Sequence, residues 1–429
     1  MLQSPSRVAG AEPTDRCGAA LHHGVSDERP HEGLSSCSPT AEDSVESKVI
    51  RSDPVIRVAV DARGLNRSHL RGMGKYVHEL VGRGGRWGRV QWMLSADRPE
   101  LPLHRPEGEA LEWNVSARRG SRFHRWEQIT LPRGARRWGA EVLHCACNGL
   151  PWWQPVPTVV TLHDTIMWNS TEEGAPDGWY LGRLLPAAYR RCAAIITISE
   201  SSRRDIVNMW PVLQDKLHVI PHGINDSYLE DSIRPPCESF QDIGVRFPYL
   251  LYMGGSNPRK RLDWAIRVLE ELADPRVSLV ACGVDKTTQE RIRQTMREEL
   301  RPQVCFAPFV AEATMPCLYQ NAVAVLYPTL YEGFGFPALE AQAVGTPVLF
   351  SALGSLAELQ GPGAIVLPPH DLGAWVGVCR QLVAQRGELT IPDQRSRRWA
   401  KGFSWDVCAE RHFEIYRKAS RVRERARQD

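Results

Sequence analysis

The chain has 429 residues, of which 42% are hydrophobic and 24% are charged. This composition is ordinary for a soluble globular protein, and the length accommodates two domains. The net charge of +3 is small for this length and gives no general argument for nucleic-acid binding.

The eleven cysteines are spread thinly along the chain. They form no CxxC pair and no Cys/His series with the spacing of metal ligands, although Cys145 and Cys147 stand two apart. We therefore predict reduced, mostly buried cysteines in a cytoplasmic protein, without a metal site.

Residues 1–54 differ in composition from the rest of the chain, because they are rich in Ser, Pro, Gly, Glu and Asp. They contain no apolar run long enough for the core of a signal peptide or for a membrane span. We predict a largely disordered N-terminal extension. The apolar runs elsewhere have the length of strands, so we expect no transmembrane helix.

Residues 55–222 repeat one pattern, in which a short β-branched apolar run ends at a polar residue or a glycine. The runs are VIRVAVD, GAEVLHC, PTVVTLHD, AAIITISE and KLHVIPHG. Helical patterns lie between them, which favours an α/β domain with a parallel sheet. After the first run, Gly72, Met73 and Gly74 predict a glycine-rich turn followed by a short helix.

The pattern restarts after a polar, proline-containing stretch at 223–248, which we interpret as a linker. The runs PYLLYMGG, RVSLVACG, QVCFAPFV, AVAVLYPT and TPVLFS predict a second doubly wound domain over 249–402. Residues 403–429 have helical periodicity. The predicted fold class is therefore α/β, with two Rossmann-like doubly wound domains facing a cleft that the carboxyl ends of the strands line.

The segment YEGFGFPALEAQAVGTPV, residues 331–348, follows the strand-like run AVAVLYPT. Pro337 and Gly345 predict a helix that starts near the proline and ends at the glycine. Glu332 then lies in the preceding loop and Glu340 in the first helical turn.

Glycines in the loop before this helix, Gly333 and Gly335, allow the backbone to come close to a ligand. The helix N-terminus offers N–H groups to phosphate or sugar oxygens, and the two carboxylates can accept hydrogen bonds from hydroxyls. The structural alternative is that Glu340 complements the helix dipole while Glu332 is solvated. The interleaved GFGFP sequence favours the ligand site.

A second candidate site is YMGGSNPRKRLDW, where a strand-like run ends at Gly254 and Gly255. Arg259 and Lys260 are predicted to open the next helix. Two cations beside a glycine turn at a strand end suit a diphosphate. The alternative is a basic cluster on the surface.

Three further features admit both structural and functional interpretations. His163 ends the run PTVVTL, where a lone histidine is more often structural. The Arg- and Trp-rich segment 115–139 could contact an anionic membrane, or could pack its aromatic side chains inward. Ser355 and Glu358 have the spacing of a capping box, which we interpret as structural.

From Val55 to the C-terminus the sequence resembles a retaining glycosyltransferase of the GT-B fold, in glycosyltransferase family 4. The branch it resembles is that of mannosyltransferase-like enzymes that build bacterial surface glycans. The E-x7-E segment with its GFGFP centre is the most specific part of the resemblance. The other motifs that carry it are DARGL, GMGKY, RWEQITLP, VLHCACNGLP, LHD, ITISESSRRDI, VIPHGI, NPRK and the terminal FSW…YR.

The resemblance implies roles for the second-domain residues. Glu340 would bind the donor ribose hydroxyls, and Glu332 would lie near the hydroxyls of the donor sugar. Lys260, with Arg259, would neutralise the departing diphosphate. Many members carry an arginine where this chain has Gly255, and Arg259 is expected to replace it. Backbone groups would hold the donor at Gly254, Gly255, Phe309 (near the base), Gly333, Phe334, Gly335 and Phe336.

For the first domain, the resemblance implies that His163 contacts the donor sugar. Gly72, Met73 and Gly74 would border the phosphates and the acceptor. The terminal helix would cross back to the first domain.

The implied reaction moves a hexose from a nucleotide sugar to a glycan, lipid-linked or small-molecule acceptor with retention and without a metal. GDP-mannose is the first expected donor and a UDP-hexose the second. Alternatives on the same fold are a nucleotide-sugar epimerase, a sugar phosphorylase and a non-catalytic sugar-nucleotide-binding subunit. Intact Glu332, Glu340, Lys260 and His163 argue against the non-catalytic alternative.

Overall fold

A computed structural model describes residues 55–70, 72–106, 111–116, 125–169, 178–230, 240, 243–385 and 393–428. The predicted N-terminal extension, residues 1–54, lies outside the described residues. So do parts of the Arg- and Trp-rich segment and of the predicted linker.

The first described sheet is parallel throughout. Its strands are β1 Ile56–Asp61, β2 Val90–Ala96, β3 Leu111–Val115, β4 Val142–Cys145, β5 Thr158–Thr161, β6 Ala194–Thr197 and β7 Leu217–Val219. The strand order is β3-β2-β1-β4-β5-β6-β7, so the order reverses between β1 and β4. Every residue of β4, β5 and β6 is buried, which explains their continuous apolar and β-branched sequences.

The α-helices described in this domain are α1 Gly72–Arg86, α2 Leu131–Trp138, α3 Ile166–Asn169, α4 Leu185–Arg191 and α5 Glu200–Met209. A π-helical turn leads into α2 at Trp126–Thr130, and another leads into α4 at Tyr180–Leu184. The prediction of a glycine-rich turn before a short helix was wrong. Gly72, Met73 and Gly74 form the first turn of α1, which has 15 residues.

The second described sheet is also parallel. Its strands are β8 Tyr249–Met253, β9 Ser278–Cys282, β10 Val304–Ala307, β11 Ala324–Tyr327, β12 Val348–Phe350 and β13 Ala364–Val366. The order is β10-β9-β8-β11-β12-β13, which reverses between β8 and β11. Ligands of open parallel sheets bind outside the carboxyl ends of the strands at such a reversal. Both candidate motifs of this domain, the GGSNPRK turn after β8 and the YEGFGFP loop after β11, follow these two strands.

The α-helices described around this sheet and before it are α6 Asp226–Leu229, α7 Leu262–Leu272, α8 Lys286–Thr295, α9 Met315–Gln320, α10 Phe336–Val344, α11 Leu372–Gln385 and α12 Gln394–Ala400. Tyr228 of α6 is buried in the same apolar cluster as Leu339 and Val344 of α10. Part of the predicted linker is therefore packed against the second domain.

The last helix, α13 Trp405–Gln428, crosses back to the first domain, as predicted. Trp405, Phe413 and Tyr416 are buried with Val58 of β1 and other first-domain residues. Asp406 pairs with Arg83 of α1 at 3.1 Å. No helix in the described part of the chain, α13 included, is long and apolar enough to cross a membrane.

Candidate functional site

The loop after β11 brings the second domain against the first. Gly335 adopts a left-handed φ of 105° directly before α10, and Gly345 ends α10 with a φ of 81°. Pro337 lies in the first turn, so the predicted start and end of this helix are confirmed. A Cβ atom at Gly333 would lie 2.7 Å from Asp164 Oδ2 and 3.2 Å from the His163 carbonyl oxygen. The close approach to the His163–Asp164 turn therefore leaves no room for a side chain.

Glu332 is the centre of a buried ion cluster at the strand-order reversal. Its Oε1 lies 2.6 Å from Lys260 Nζ and 3.2 Å from Arg259 Nη1. Burial alone would raise the pKa of the Glu332 carboxyl, but Lys260 and then Arg259 outweigh it and lower the pKa below the ordinary value. Two cations share one carboxylate here, so Lys260, Arg259 and Glu332 together carry a formal charge of +1, beside the buried Asp164 carboxyl, whose pKa burial raises.

The turn that carries the two cations is built locally. Asn257 Oδ1 accepts a hydrogen bond from the Arg259 N–H at 3.0 Å and so fixes the turn over Pro258–Lys260. Gly255 has a φ of 69°, which favours glycine. The expectation that Arg259 and Lys260 open a helix was wrong. They lie in a 3₁₀ turn, and α7 begins only after Arg261, whose φ is 56°.

Arg259 also contacts the loop after β11, residues 328–335, which we name the donor-side loop because the resemblance assigns the donor to it. The Arg259 Nη1 donates to the Tyr331 carbonyl of this loop. Gly254 packs against the Tyr252 hydroxyl and the Lys260 side chain, where a larger residue would not fit. The glycine turn after β8 and the acidic loop after β11 therefore form one continuous site.

Glu340 lies in the second turn of α10, not in the first turn as predicted. Its two oxygens have separate partners, since Oε1 lies 3.1 Å from Lys75 Nζ and Oε2 accepts from the Tyr319 hydroxyl at 2.7 Å. Lys75 also lies 2.8 Å from Glu312 Oε1. Glu340 is thus paired with a cation from helix α1 of the first domain. The alternative that Glu340 only complements the dipole of α10 does not account for this pairing.

Lys75 was missed by sequence reasoning, although it stands next to Gly74 in the motif GMGKY. Burial alone would lower the pKa of the Lys75 ammonium, but Glu340 and then Glu312 raise it well above the ordinary value. One cation is shared by two carboxylates, so this second cluster has the opposite sign to the cluster around Glu332.

His163 is buried behind the donor-side loop, with an exposed fraction of 5%. Its Nε2 lies 2.9 Å from the Ala146 carbonyl oxygen. A carbonyl oxygen only accepts, so we assign the ring hydrogen to Nε2, which leaves Nδ1 to accept a hydrogen bond from a ligand. Burial lowers the pKa of the imidazole to about 4. The ring is therefore neutral near pH 7 and does not act as a proton donor there.

A chain of buried hydrogen bonds runs behind His163 into α13. It contains five contacts of 2.7–2.8 Å that join, in order, Tyr416, His144, Thr161, Tyr76, His412 and the Cys408 carbonyl. One direction of donation satisfies every member with neutral rings, starting from the Tyr416 hydroxyl and ending at the carbonyl oxygen. His222 lies beside this chain and stacks on Phe336, with ring centroids 5.2 Å apart. Phe334 meets the same His222 ring edge-on at 5.1 Å.

The remaining predicted residues border the same region. Gly72 faces the Phe336 ring, which would lie 3.7 Å from a Cβ atom at this position. Gly74 packs on the Gly64 carbonyl, and Met73 is 47% exposed. Phe309, after β10, is 61% exposed and stacks on His69 of the first domain at 3.8 Å.

Helix α5 supplies a contact that sequence reasoning assigned wrongly. Glu358 accepts hydrogen bonds from the Glu200 and Ser201 N–H groups at 2.9 and 2.7 Å, and so caps α5 of the first domain. Ser355 does not form the predicted capping box with it, because its hydroxyl donates to the carbonyls of Glu332 and Phe334. The SLAE segment therefore ties the donor-side loop to the first domain.

Two parallel doubly wound sheets, with a last helix that crosses back to the first domain, are the architecture of the GT-B fold. The family model described as Glycosyltransferase Family 4 matches residues 70–228, and the one described as Glycosyl transferases group 1 matches residues 239–399. The chain belongs to glycosyltransferase family 4.

Relatives agree with this assignment at low identity. The O-antigen chain mannosyltransferase B of Escherichia coli is 26% identical over 60% of this chain and 70% of its own length. The D-inositol 3-phosphate glycosyltransferase of Kineococcus radiotolerans is 28% identical over 54% of this chain and 58% of its own length. The chain therefore matches 70% and 58% of the length of these two relatives, whose named acceptors differ.

Among solved structures, the Anabaena protein HepE in complex with UDP and glucose is similar in fold. The TM-score is 0.63 and the identity 17%, over 84% of this chain and 98% of that one. At this identity the likeness shows the fold alone.

Proposed function

We propose that the protein is a retaining glycosyltransferase that moves a hexose from a nucleotide diphosphate sugar to a hydroxyl of a glycan, lipid-linked or small-molecule acceptor, without a metal. GDP-mannose is the first candidate donor, since several relatives are named as mannosyltransferases. A UDP-hexose is the second. The observation that carries the proposal is the positive cluster of Lys260, Arg259 and Glu332 at the strand-order reversal.

In this proposal the two cations bind the diphosphate of the donor. Negative charge develops on the leaving oxygen as the bond to the sugar breaks, and Lys260 and Arg259 stabilise it from fixed positions. Removing one such fixed donor typically costs about 100- to 1,000-fold in rate. Glu332 holds both cations in place and lies near the donor sugar.

Glu340 accepts hydrogen bonds from the ribose hydroxyls in place of Lys75. The backbone of Gly333, Phe334, Gly335 and Phe336 binds sugar and phosphate oxygens at the start of α10. Phe309 and His69 border the base, with the Gly254–Gly255 turn beside the phosphates.

His163 accepts a hydrogen bond from a hydroxyl of the donor sugar through Nδ1. The first turn of α1, at Gly72, Met73 and Gly74, borders the phosphates and the acceptor. The acceptor hydroxyl attacks from the face that the diphosphate leaves, which retains the anomeric configuration. Neither glutamate serves as a covalent nucleophile, in contrast to retaining hydrolases.

The first test is a thermal-shift panel of GDP, UDP, ADP and dTDP, without metal and then with magnesium. Selective stabilisation by one nucleotide without metal is expected, and it would identify the donor class. If no nucleotide stabilises the protein, the cleft is not a working donor site.

The second test measures transfer with the selected donor and its products. Lys260→Ala is expected to lower kcat by at least about 100-fold, and Glu340→Ala to raise the KM for the donor. Lys286→Ala removes an exposed lysine of α8 and is the matched control. The anomeric configuration of the product, read by NMR, tests retention, and conversion of the donor alone would indicate an epimerase.

We also propose that the protein works in the cytoplasm, at the inner face of the membrane. Donor turnover in a cytosolic fraction, and its distribution between soluble and membrane fractions, test this location.

A further inference from the structure

The segment expected to contact a membrane, residues 115–139, packs its described tryptophans against the first domain, Trp126 fully and Trp138 in part. Trp126 is 1% exposed and lies in the core of the first domain. The Trp138 Nε1–H donates to Glu112 at 2.8 Å. Residues 117–124 lie outside the described residues. The arginines of α2 remain exposed, so the question is what lies beside them.

Two tryptophans from a different part of the chain lie next to these arginines. Trp152 and Trp153, in the loop between β4 and β5, are 45% and 40% exposed. Arg136 of α2 lies over the Trp153 ring at 5.9 Å, and Arg191 of α4 lies over the Trp152 ring at 4.9 Å. The loop thus joins two basic helices through exposed aromatic rings.

The loop is held in a defined conformation. The Trp152 N–H donates to Gln128 Oε1 at 2.7 Å, and Gln154 Nε2 donates to the Ala188 carbonyl at 3.1 Å. Leu150 and Val156, on either side of the two tryptophans, are buried in the core. The tryptophans are therefore exposed on a fixed surface, and their exposure does not come from a loose loop.

The surface is strongly positive for a chain of net charge +3. Neither α2, nor α4, nor loop residues 146–157 contain an acidic residue. We name this surface the arginine–tryptophan face and define it by Trp152, Trp153 and five exposed arginines, Arg133, Arg136, Arg137, Arg190 and Arg191. No carboxylate in the described part of the chain forms an ion pair with any of these five arginines.

This chemistry fits the headgroup region of a bilayer. Tryptophan is enriched at the interface between the hydrocarbon core of a membrane and its headgroups, and arginine binds phosphate through two N–H groups at once. Each basic residue near an anionic surface contributes about 1 kcal/mol, which is about fivefold in binding. Half-buried tryptophans between guanidinium groups suit shallow insertion among lipid phosphates.

The arginines of the face lie at the amino edge of the first sheet. Arg136 and Arg137 end α2, which leads into the first residue of β4, and Arg190 and Arg191 end α4, which leads into the first residue of β6. A bilayer bound at this face would therefore contact the edge opposite the carboxyl ends of the strands and would leave the cleft open.

We propose that the arginine–tryptophan face binds the headgroup region of an anionic phospholipid bilayer. Binding to lipid does not depend on the proposed transferase activity, so the two can fail separately.

The test is co-sedimentation of the full chain with vesicles of phosphatidylcholine alone, and of phosphatidylcholine with 30% phosphatidylglycerol. Binding is expected for the anionic vesicles only, and it should weaken as salt is raised. Arg136→Gln with Arg191→Gln should weaken it by about 25-fold. Trp152→Ala with Trp153→Ala should weaken it at least tenfold and should remove quenching by brominated lipid.

The matched control is Arg380→Gln with Arg398→Gln, which removes the same charge from exposed positions of the second domain. Its binding should stay within twofold of the parent, and thermal unfolding of all variants verifies that they fold. Equal binding to neutral vesicles, or an equal loss in the control pair, would overturn the proposal. Equally tight binding of a soluble polyanion that displaces the vesicles would assign the face to that class of ligand instead.

Discussion

Acid should destabilise the first domain through the histidines buried behind the donor-side loop. Burial lowers the pKa of His163 and of His412 to about 4, and holds those of His144 and His222 well below the ordinary value. In the unfolded chain each imidazole returns to a pKa of about 6.5. Unfolding therefore takes up protons below that pH, so the stability is fully present above about pH 6.5 and is lost as the pH falls toward 4.

The hydrogen-bond chain gives a structural reason for the lowered pKa values. His412 donates through Nδ1 to the Cys408 carbonyl and accepts at Nε2 from the Tyr76 hydroxyl. His144 accepts at Nδ1 from the Tyr416 hydroxyl. An added proton on either ring would face a hydroxyl hydrogen and would find no acceptor without reversing the whole chain.

The size of the effect follows from the two pKa values near 4. Between pH 8 and pH 5, a histidine with a pKa of about 4 when folded and about 6.5 when unfolded removes about 2 kcal/mol of stability. His163 and His412 together remove about 4 kcal/mol, which is a large part of a typical total of about 5–15 kcal/mol. His144 and His222 act in the same direction.

The carboxyls of Glu127 and Asp164 act in the opposite direction, because burial raises their pKa values. A difference measurement removes this background. The free energy of unfolding by urea is measured from pH 8 to pH 5 for the parent chain and for His412→Gln. The parent should lose about 2 kcal/mol more than the variant over this range. The exposed His370→Gln variant is the control and should match the parent. Equal pH slopes in the parent and His412→Gln would refute the reasoning.

Three further predictions concern the contacts between the domains. Lys75→Met leaves the buried Glu340 carboxylate without its cation and should lower the free energy of unfolding in urea by about 3 kcal/mol. Lys75→Arg should retain most of the parent stability. An unchanged stability in Lys75→Met would contradict the pairing. Glu358→Gln weakens the capping of α5 and should raise the donor KM about three- to tenfold with little change in kcat, and a pure kcat effect would argue against it. Gly333→Ala places a Cβ 2.7 Å from Asp164 Oδ2 and should lower kcat/KM at least about tenfold, while Gly178→Ala, with no atom within 4 Å, should be neutral.

Features set by local chemistry could be predicted from the sequence. Pro337 favours the first turn of α10 and Gly345 its C-terminal end through their own backbone preferences, so both ends of the helix were predictable. The strand-end positions of Gly254 and His163 followed from the apolar runs that precede them. The position of Glu340 on α10 was misjudged by one residue, because the helix starts at Phe336 and the glutamate is its fifth residue, just beyond the first turn.

Contacts between distant segments could not be predicted. Lys75 and Glu340 are 265 residues apart, and Glu358 lies 158 residues from Glu200. Periodicity identifies the face of an element but not which charge of another domain it meets. The capping-box spacing of the SLAE segment was therefore a misleading local signal for a contact that is made across the cleft.

The two glutamates of the YEGFGFPALE segment belong to ion clusters of opposite net charge. Glu332 shares two cations, whereas Glu340 and Glu312 share one, so a positive and a negative cluster lie eight residues apart on one loop and helix. Under the proposed function, a nucleotide sugar complements this polarity, since its diphosphate is anionic and its ribose hydroxyls donate hydrogen bonds. The ribose then has to displace Lys75 from Glu340, which frees the cation within reach of the incoming donor. Donor binding would thus replace the Lys75–Glu340 ion pair by hydrogen bonds from the ribose to Glu340, while Lys75 keeps its contact with Glu312.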